Sequence, residues 1–266
     1  MKQMKDRIFV ATFSENAVSV IRSYGVGIEL NDLCISENLD SERLQTTTDM
    51  MQQEIRSSGA GAQQIIAHGP FTEICPASID HRAVEMGRKR LDEAWNVLQD
   101  LGICRMVVHT GYIPLIYYPQ WQLEKSIKFW KDFLKDKPSD FRLYIENVFE
   151  DSPEQQLQLI RGLDDPRVSA CLDVGHAHAV TRQEYPVCRW IEELGPFIGH
   201  FHLHNNDGNQ DLHSPLTEGN MNMEEVLRAI GTYCRPDVTM TIESRICEDS
   251  VRWLQQQDKL LHMANC

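Results

Sequence analysis

Short apolar runs recur along the chain at intervals of roughly 20 to 40 residues, each followed by a loop and then a helical pattern, which leaves room for the crossover helix that parallel strands require. The runs are "IFVA" (8–11), "VGIEL" (26–30), "QIIAH" (64–68), "RMVVH" (105–109), "RLYIEN" (142–147), "VSACLD" (168–173), "IGHFHLH" (198–204) and "VTMTIES" (238–244). Two intervening helices are legible. Ser78 can cap one that runs to about Leu101, with Ala83, Met86, Ala94, Trp95, Leu98 and Leu101 as its apolar stripe and Gly102 as its stop. The other runs from about Gln120 to Lys135, with Ile127, Trp130, Phe133 and Leu134 facing inward and Pro138 beyond its end. Their tryptophans belong to a core rather than a site. Eight strand–helix units, with no Gly/Ser or Pro linker between them, predict a (β/α)8 TIM barrel of the α/β class, one domain over residues 1–266.

Composition narrows the partners. Apolar residues make up 42 % of the 266, enough to bury a sizeable core. Asp and Glu number 39 against 26 Lys and Arg, a net charge of −13 that repels polyanions, and no basic block offsets it. The eight cysteines form no C-x-x-C pair and read as reduced thiols. The opening "MKQMKDRIFVATFSEN" has too short an apolar run for a signal peptide, and no segment is long and apolar enough to span a membrane, so the expected location is cytoplasmic.

The stretch "GHFHLHNNDGNQDLH" (199–213) holds four of the ten histidines, together with Asp207 and Asp211. Period two along the seventh strand puts His200, His202 and His204 on one side, toward the barrel interior or its mouth. They cannot all bind one ion; His202 is the preferred ligand, with His200 deeper and His204 nearer the loop. His68, His109, Glu146, Asp173, His202 and Glu243 fall at or near the C-terminal ends of strands three to eight, which gathers all six around the mouth where barrel active sites lie. A lone histidine such as His68 or His109 is more often a hydrogen-bonded structural residue than a ligand. Glu146 and Glu243 differ, because "YIEN" and "TIES" place a carboxylate straight after apolar strand residues, where an unpaired charge is costly. A cation would remove that cost; a salt bridge, with Arg245 the obvious partner, is the alternative. Asp173 and His176 lie three residues apart in "CLDVGHAHAV" and can share one site, whereas His178 points elsewhere. Asp211 and His213 in "DLH" suit a second ion or a substrate.

In "GIEL", "HGPF", "VVHTGY", "IEN", "LDVGHAH", "HFHLH", "DLHSPLTEGN" and "TIES" the chain resembles the xylose-isomerase-like barrel superfamily, which includes sugar isomerases, sugar phosphate isomerase/epimerase relatives and endonuclease IV. The epimerase pattern implies one divalent ion held by Glu146, Asp173, His202 and Glu243, with His176 reaching substrate. The endonuclease pattern implies a trinuclear zinc set of His68, His109, Glu146, Asp173, His176, His202, Asp211, His213 and Glu243. The chain departs from the latter after its strand-seven histidine, reading "HLHNNDGN" where that pattern runs like H-L-N-D-x-K, and Phe71 replaces a tyrosine.

Two chemistries follow. An isomerase or epimerase would use the ion, Mn²⁺, Zn²⁺, Mg²⁺ or Co²⁺, to chelate neighbouring substrate oxygens and stabilise an enediolate, while Glu146 and Glu243 exchange the proton across the substrate. A zinc phosphodiesterase (AP endonuclease) would enlist His68, His109, Asp211 and His213 as further ligands. The first reading leads, with one ion favoured and up to three accommodated, and a small carbohydrate as substrate. Charge argues against a nucleic-acid partner, no membrane partner is expected, and a homo-oligomer is compatible with the sequence. A binding protein with a silent site has no positive support.

Overall fold

In the computed structural model, which describes residues 4–181 and 185–265, every one of the eight apolar runs forms a strand. The chain order is β1 (Ile8–Ala11), α1 (Ala17–Tyr24), β2 (Gly27–Leu30), α2 (Leu44–Ser58), β3 (Ile65–His68), α3 (His81–Asp100), β4 (Arg105–His109), α4 (Pro119–Leu134) and β5 (Arg142–Glu146). It continues with α5 (Glu154–Leu163), β6 (Val168–Asp173), α6 (Val174–Val180), α7 (Val187–Leu194), β7 (Ile198–Leu203), α8 (Met223–Tyr233), β8 (Thr239–Ile242) and α9 (Glu248–Gln256). Neighbouring strands pair in parallel, and β8 returns to β1, so the sheet closes as a (β/α)8 TIM barrel. No helix of the described residues is long and apolar enough to cross a membrane.

Strand side chains alternate between two environments, which explains how the site is placed. One set packs outward against the helices in a continuous apolar layer that includes Ile8, Val10, Ile28, Val108, Leu143 and Ile145, with Trp130 and Trp190 fully buried. The other set points into the barrel, where Phe9, Ile66, Val107, Tyr144 and Cys171 form a separate apolar floor. Gly27 faces Phe9, whose ring occupies the space that a β-carbon would need. Two residues further along β3, β4, β5 and β6 the same inward alternation reaches His68, His109, Glu146 and Asp173, each the last residue of its strand. A bulge between Ala170 and Cys171 sets the register of β6 on β7, so that Asp173 stands beside His202.

The helix boundaries differ from expectation in detail. Asp80, not Ser78, caps α3, its carboxylate accepting from the Arg82 amide at 2.9 Å. Ser78 instead accepts from the Asp80 amide and shapes the preceding turn. Met86 turns outward from the α3 stripe and is exposed. Pro119 starts α4 one residue early, as a ring that lacks an N–H suits the first helical turn. Cys34, Cys75, Cys104, Cys171, Cys188, Cys234 and Cys247 are free thiols, as expected, and Cys266 lies outside the described residues.

Candidate metal centre

His202 occupies the middle of the mouth, fully buried, with its two nitrogens in contrasting surroundings. Nε2–H donates to Glu29 Oε1 at 3.0 Å. With Nε2–H so engaged, Nδ1 is the nitrogen at which a metal ion could replace a proton, and it has no hydrogen-bond partner among the described residues. It faces Glu146 Oε1 at 3.3 Å, Glu243 Oε2 at 3.4 Å and Asp173 Oδ2 at 3.8 Å. Asp173 Oδ2 is likewise buried without a partner. Three buried carboxylates around one imidazole nitrogen, with no Lys or Arg paired to them among the described residues, are costly unless a cation lies between them. The donor set therefore fits a divalent ion. Arg245, the sequence's candidate for a salt bridge, is exposed and pairs with neither glutamate.

Glu146 extends the centre sideways. His68 Nε2 is 3.2 Å and His109 Nε2 3.6 Å from its Oε2. His68 Nδ1–H donates to the Gly69 carbonyl at 2.9 Å, turning Nε2 inward, and Phe71 stacks on His109 at 4.4 Å between ring centres. A third group lies toward solvent. Asp211 Oδ2 is 3.3 Å from His176 Nε2 and 3.1 Å from His213 Nε2, and its Oδ1 is 3.5 Å from His204 Nε2. His176 Nδ1–H donates to the Asn147 carbonyl at 3.0 Å and His213 Nδ1–H to the Glu243 carbonyl at 2.7 Å. Four histidines, His68, His176, His202 and His213, thus have one nitrogen tied to an oxygen acceptor and the other aimed into the mouth, the arrangement that orients metal-ligating imidazoles. The outward-turned nitrogens and their carboxylates form sets with all ligand atoms within 4.8 Å of one another: His68, Glu146 and His202; Glu146, Asp173 and His176; Asp173, His202 and Glu243; and His176, His204, Asp211 and His213.

All nine residues singled out in the sequence therefore converge at one mouth. Two that matter were not among those nine. Glu29 is fully buried and holds His202, His200 and the Thr241 hydroxyl. Its signal, a carboxylate within the apolar "GIEL", is the one that marks Glu146 and Glu243. His204, expected nearer the loop than His202 and given no ligand role, joins the outer group with His176, Asp211 and His213. His200 lies deeper, as expected, and is structural: it stacks on Tyr144 and bonds Thr239, Thr241 and Glu29, and burial pushes it down to about 4. His178 turns away to Asn220.

The electrostatics are those of an anionic cage. Burial opposes ionisation of Glu146, yet the neighbouring His202 holds its carboxyl well below the usual range. Glu243 is raised by burial, with the Glu146, Glu29 and Asp173 charges adding to it against His202. Burial pushes His109 down to about 3, so it offers a neutral imidazole. A cavity of about 430 Å³ opens beside His109, lined by Phe71, Ile74, Tyr112, Ile113 and Phe149. A larger one of about 520 Å³, between α3 and α4, touches none of these residues.

This closed parallel barrel carries at its mouth a set of carboxylates and imidazoles that could hold a divalent ion. Residues 24–257 match the xylose isomerase-like TIM barrel family, and the chain belongs to it. It is 25 % identical over 211 residues to a probable endonuclease 4 of Mycobacterium leprae, covering 74 % of this chain and 80 % of that protein. The TTHB071 protein of Thermus thermophilus, in crystals soaked with ZnCl2, superposes with a TM-score of 0.76 at 24 % identity, over 95 % of this chain and 98 % of that one. A D-tagatose 3-epimerase-like protein gives 0.72 at 22 % identity, over 97 % and 98 %. These structural likenesses show the fold.

Proposed function

We propose that this chain is a divalent-metal-dependent isomerase or epimerase acting on a sugar or sugar derivative, with Glu146, Asp173, His202 and Glu243 as the ligands of the working ion. The observation that carries the reading is the approach of three carboxylates from β5, β6 and the end of β8 to the unpartnered Nδ1 of His202. When bound, the ion supplies a positive charge against which negative charge on neighbouring substrate oxygens is stabilised. Glu146 and Glu243 flank that position, separated along the sheet by β6 and β7, so one can take a proton from carbon and the other return it from a different side. His109 and Phe71 form the wall toward the apolar cavity and limit water there.

One observation favours a second reading, a zinc phosphodiesterase of the endonuclease IV type: His68 with His109, and His176 with Asp211 and His213, complete two further ligand sets beside the first. The chain's charge of −13 argues against a polynucleotide substrate, and Arg43, in the loop after β2, is paired to Glu37. The two are separated by incubating the manganese-loaded protein with a panel of ketoses in deuterated water and the zinc-loaded protein with bis(p-nitrophenyl) phosphate. Deuterium at the carbon beside the carbonyl supports the isomerase. Phosphodiester cleavage without deuterium uptake overturns it.

A further inference from the structure

We infer that His204 is a fourth protein ligand that closes the outer metal position, so that an ion held by His176, His204, Asp211 and His213 is a clamp on the β7–α8 loop and not a second reaction centre. The inference rests on the proposed reading only in that the chain binds divalent metal. Zinc bound by four protein groups has a filled tetrahedral shell and leaves no position for water or substrate, whereas three ligands leave one open.

Several features of the chain point to that arrangement. The four ligand atoms lie within 4.8 Å of one another. The His204 and His213 rings stack, centres 4.0 Å apart and 15° from parallel; His213 Nε2 lies 3.1 Å from Asp211 Oδ2, and His204 Nε2 lies between Asp173 Oδ1 at 3.1 Å and Asp211 Oδ1 at 3.5 Å. His213 adopts a left-handed backbone, φ +48°, unusual for a residue with a side chain, and that conformation accompanies the inward turn of its imidazole. Gly175 in α6 leaves room for the His204 ring, which a β-carbon there would overlap. The sequence also departs from the endonuclease pattern at this position, with histidine where that pattern has asparagine. The outer ion would join α6, the end of β7 and the segment that returns to it, where Asn205 and Ser214 already form an antiparallel bridge.

The test is metal binding by the intact protein, read without any activity. Metal-free wild type, His204→Asn, Asp211→Asn and His178→Asn are titrated with cobalt and, separately, with zinc against a chelator. Wild type should show the intense visible bands of four-coordinate cobalt. His204→Asn should lose those bands and weaken one zinc equivalent at least tenfold, as Asp211→Asn does, while the remaining zinc stays bound and the His178→Asn control is unchanged. Equal melting temperatures of the metal-free proteins establish that the variants fold; a second variant, His204→Gln, replaces any that does not. If Asp211→Asn loses an ion that His204→Asn retains at wild-type affinity, or if the wild-type cobalt spectrum has only weak six-coordinate bands, the inference is overturned. Failure of wild type to bind any metal would instead reject the proposed function.

Discussion

Glu29 is the place to test whether the mouth is built around an ion. Its carboxylate is fully buried, and Oε1 receives the Nε2 proton of His202, which makes Nδ1 the nitrogen free to ligate. In Glu29→Gln the amide oxygen can still accept from His202 while its NH2 group turns to His200 and Thr241, so the tautomer survives and the charge does not. We expect zinc affinity to fall about tenfold, or ~1.4 kcal/mol, at the low end for loss of a partner behind a ligand. In Glu29→Leu the acceptor is gone, Nε2–H of His202 is stranded, and the ring can move its proton to Nδ1. The fall should reach about 100-fold, or ~2.8 kcal/mol, and the metal-free protein should lose about 1–3 kcal/mol from the unmet hydrogen bond. Chelator competition gives the affinities and urea unfolding the stabilities. Zinc binding by Glu29→Leu at wild-type affinity would show that His202 does not ligate through Nδ1, and the assignment of the inner site would fall.

Other perturbations separate roles within the site from packing around it. Glu243→Gln, assayed at metal concentrations that keep the site loaded, should reduce carbon deuteration about 100-fold or more, and unchanged exchange would remove Glu243 from proton transfer. Gly175→Ala would normally gain up to about 1 kcal/mol in a helix, but overlap with the His204 ring costs about 1–3 kcal/mol, so urea unfolding should show net loss, and a gain would mean that the ring is not wedged there. Glu54 on α2 is pushed up to about 7, by burial first and then by the adjacent Asp32 carboxylate. The folded state therefore holds that proton more tightly than the unfolded chain, so its contribution is present below about pH 4.5 and is lost as pH rises to about 7. Unfolding measured from pH 4.5 to 8 should show this decline flattened in Glu54→Gln; an identical profile would reject the upward displacement of Glu54.

The barrel was legible because period and spacing are strong signals. Eight buried strands leave eight apolar runs, and the inward alternation carries a polar residue to the mouth wherever a run ends in one, as in "IIAH" and "YIE". The candidate ligands at strand ends were placed at the mouth for the same reason. Glu29 was not, because it lies inside its run and its role depends on β2 and β7 facing each other across the barrel, a contact between residues far apart in the chain. His204 was passed over for a different reason. Alternation gives its side of the strand but not the path of the loop that brings Asp211 and His213 back against it. Helix starts were blurred by neighbouring caps: Ser78 and Asp80 are both good N-cap residues, and only the Arg82 amide contact chooses between them.

The number of ions can be read from stability alone. Glu146, Asp173 and Glu243 are buried together, and Asp211 stands at the same mouth, so taking cations away leaves like charges facing each other across a few ångströms. Each ion that binds only the folded chain adds RT ln(1 + [L]/Kd), which at saturation is about 1.4 kcal/mol per tenfold rise in free zinc. One working ion predicts that slope once; an additional closed outer position predicts about twice it, ~2.8 kcal/mol per decade, and three ions about 4 kcal/mol. Urea unfolding at buffered free-zinc levels spanning several decades gives the slope directly. His204→Asn should lower it by one ion's share over the range where the outer position fills; the variant also alters the 3.1 Å contact of Nε2 with Asp173 Oδ1, but at saturation the slope counts bound ions and not their affinities. A slope of zero in wild type would mean that these carboxylates meet for some reason other than a metal, and an equal slope in His204→Asn would leave the outer position open to water and restore its candidacy as part of the reaction centre.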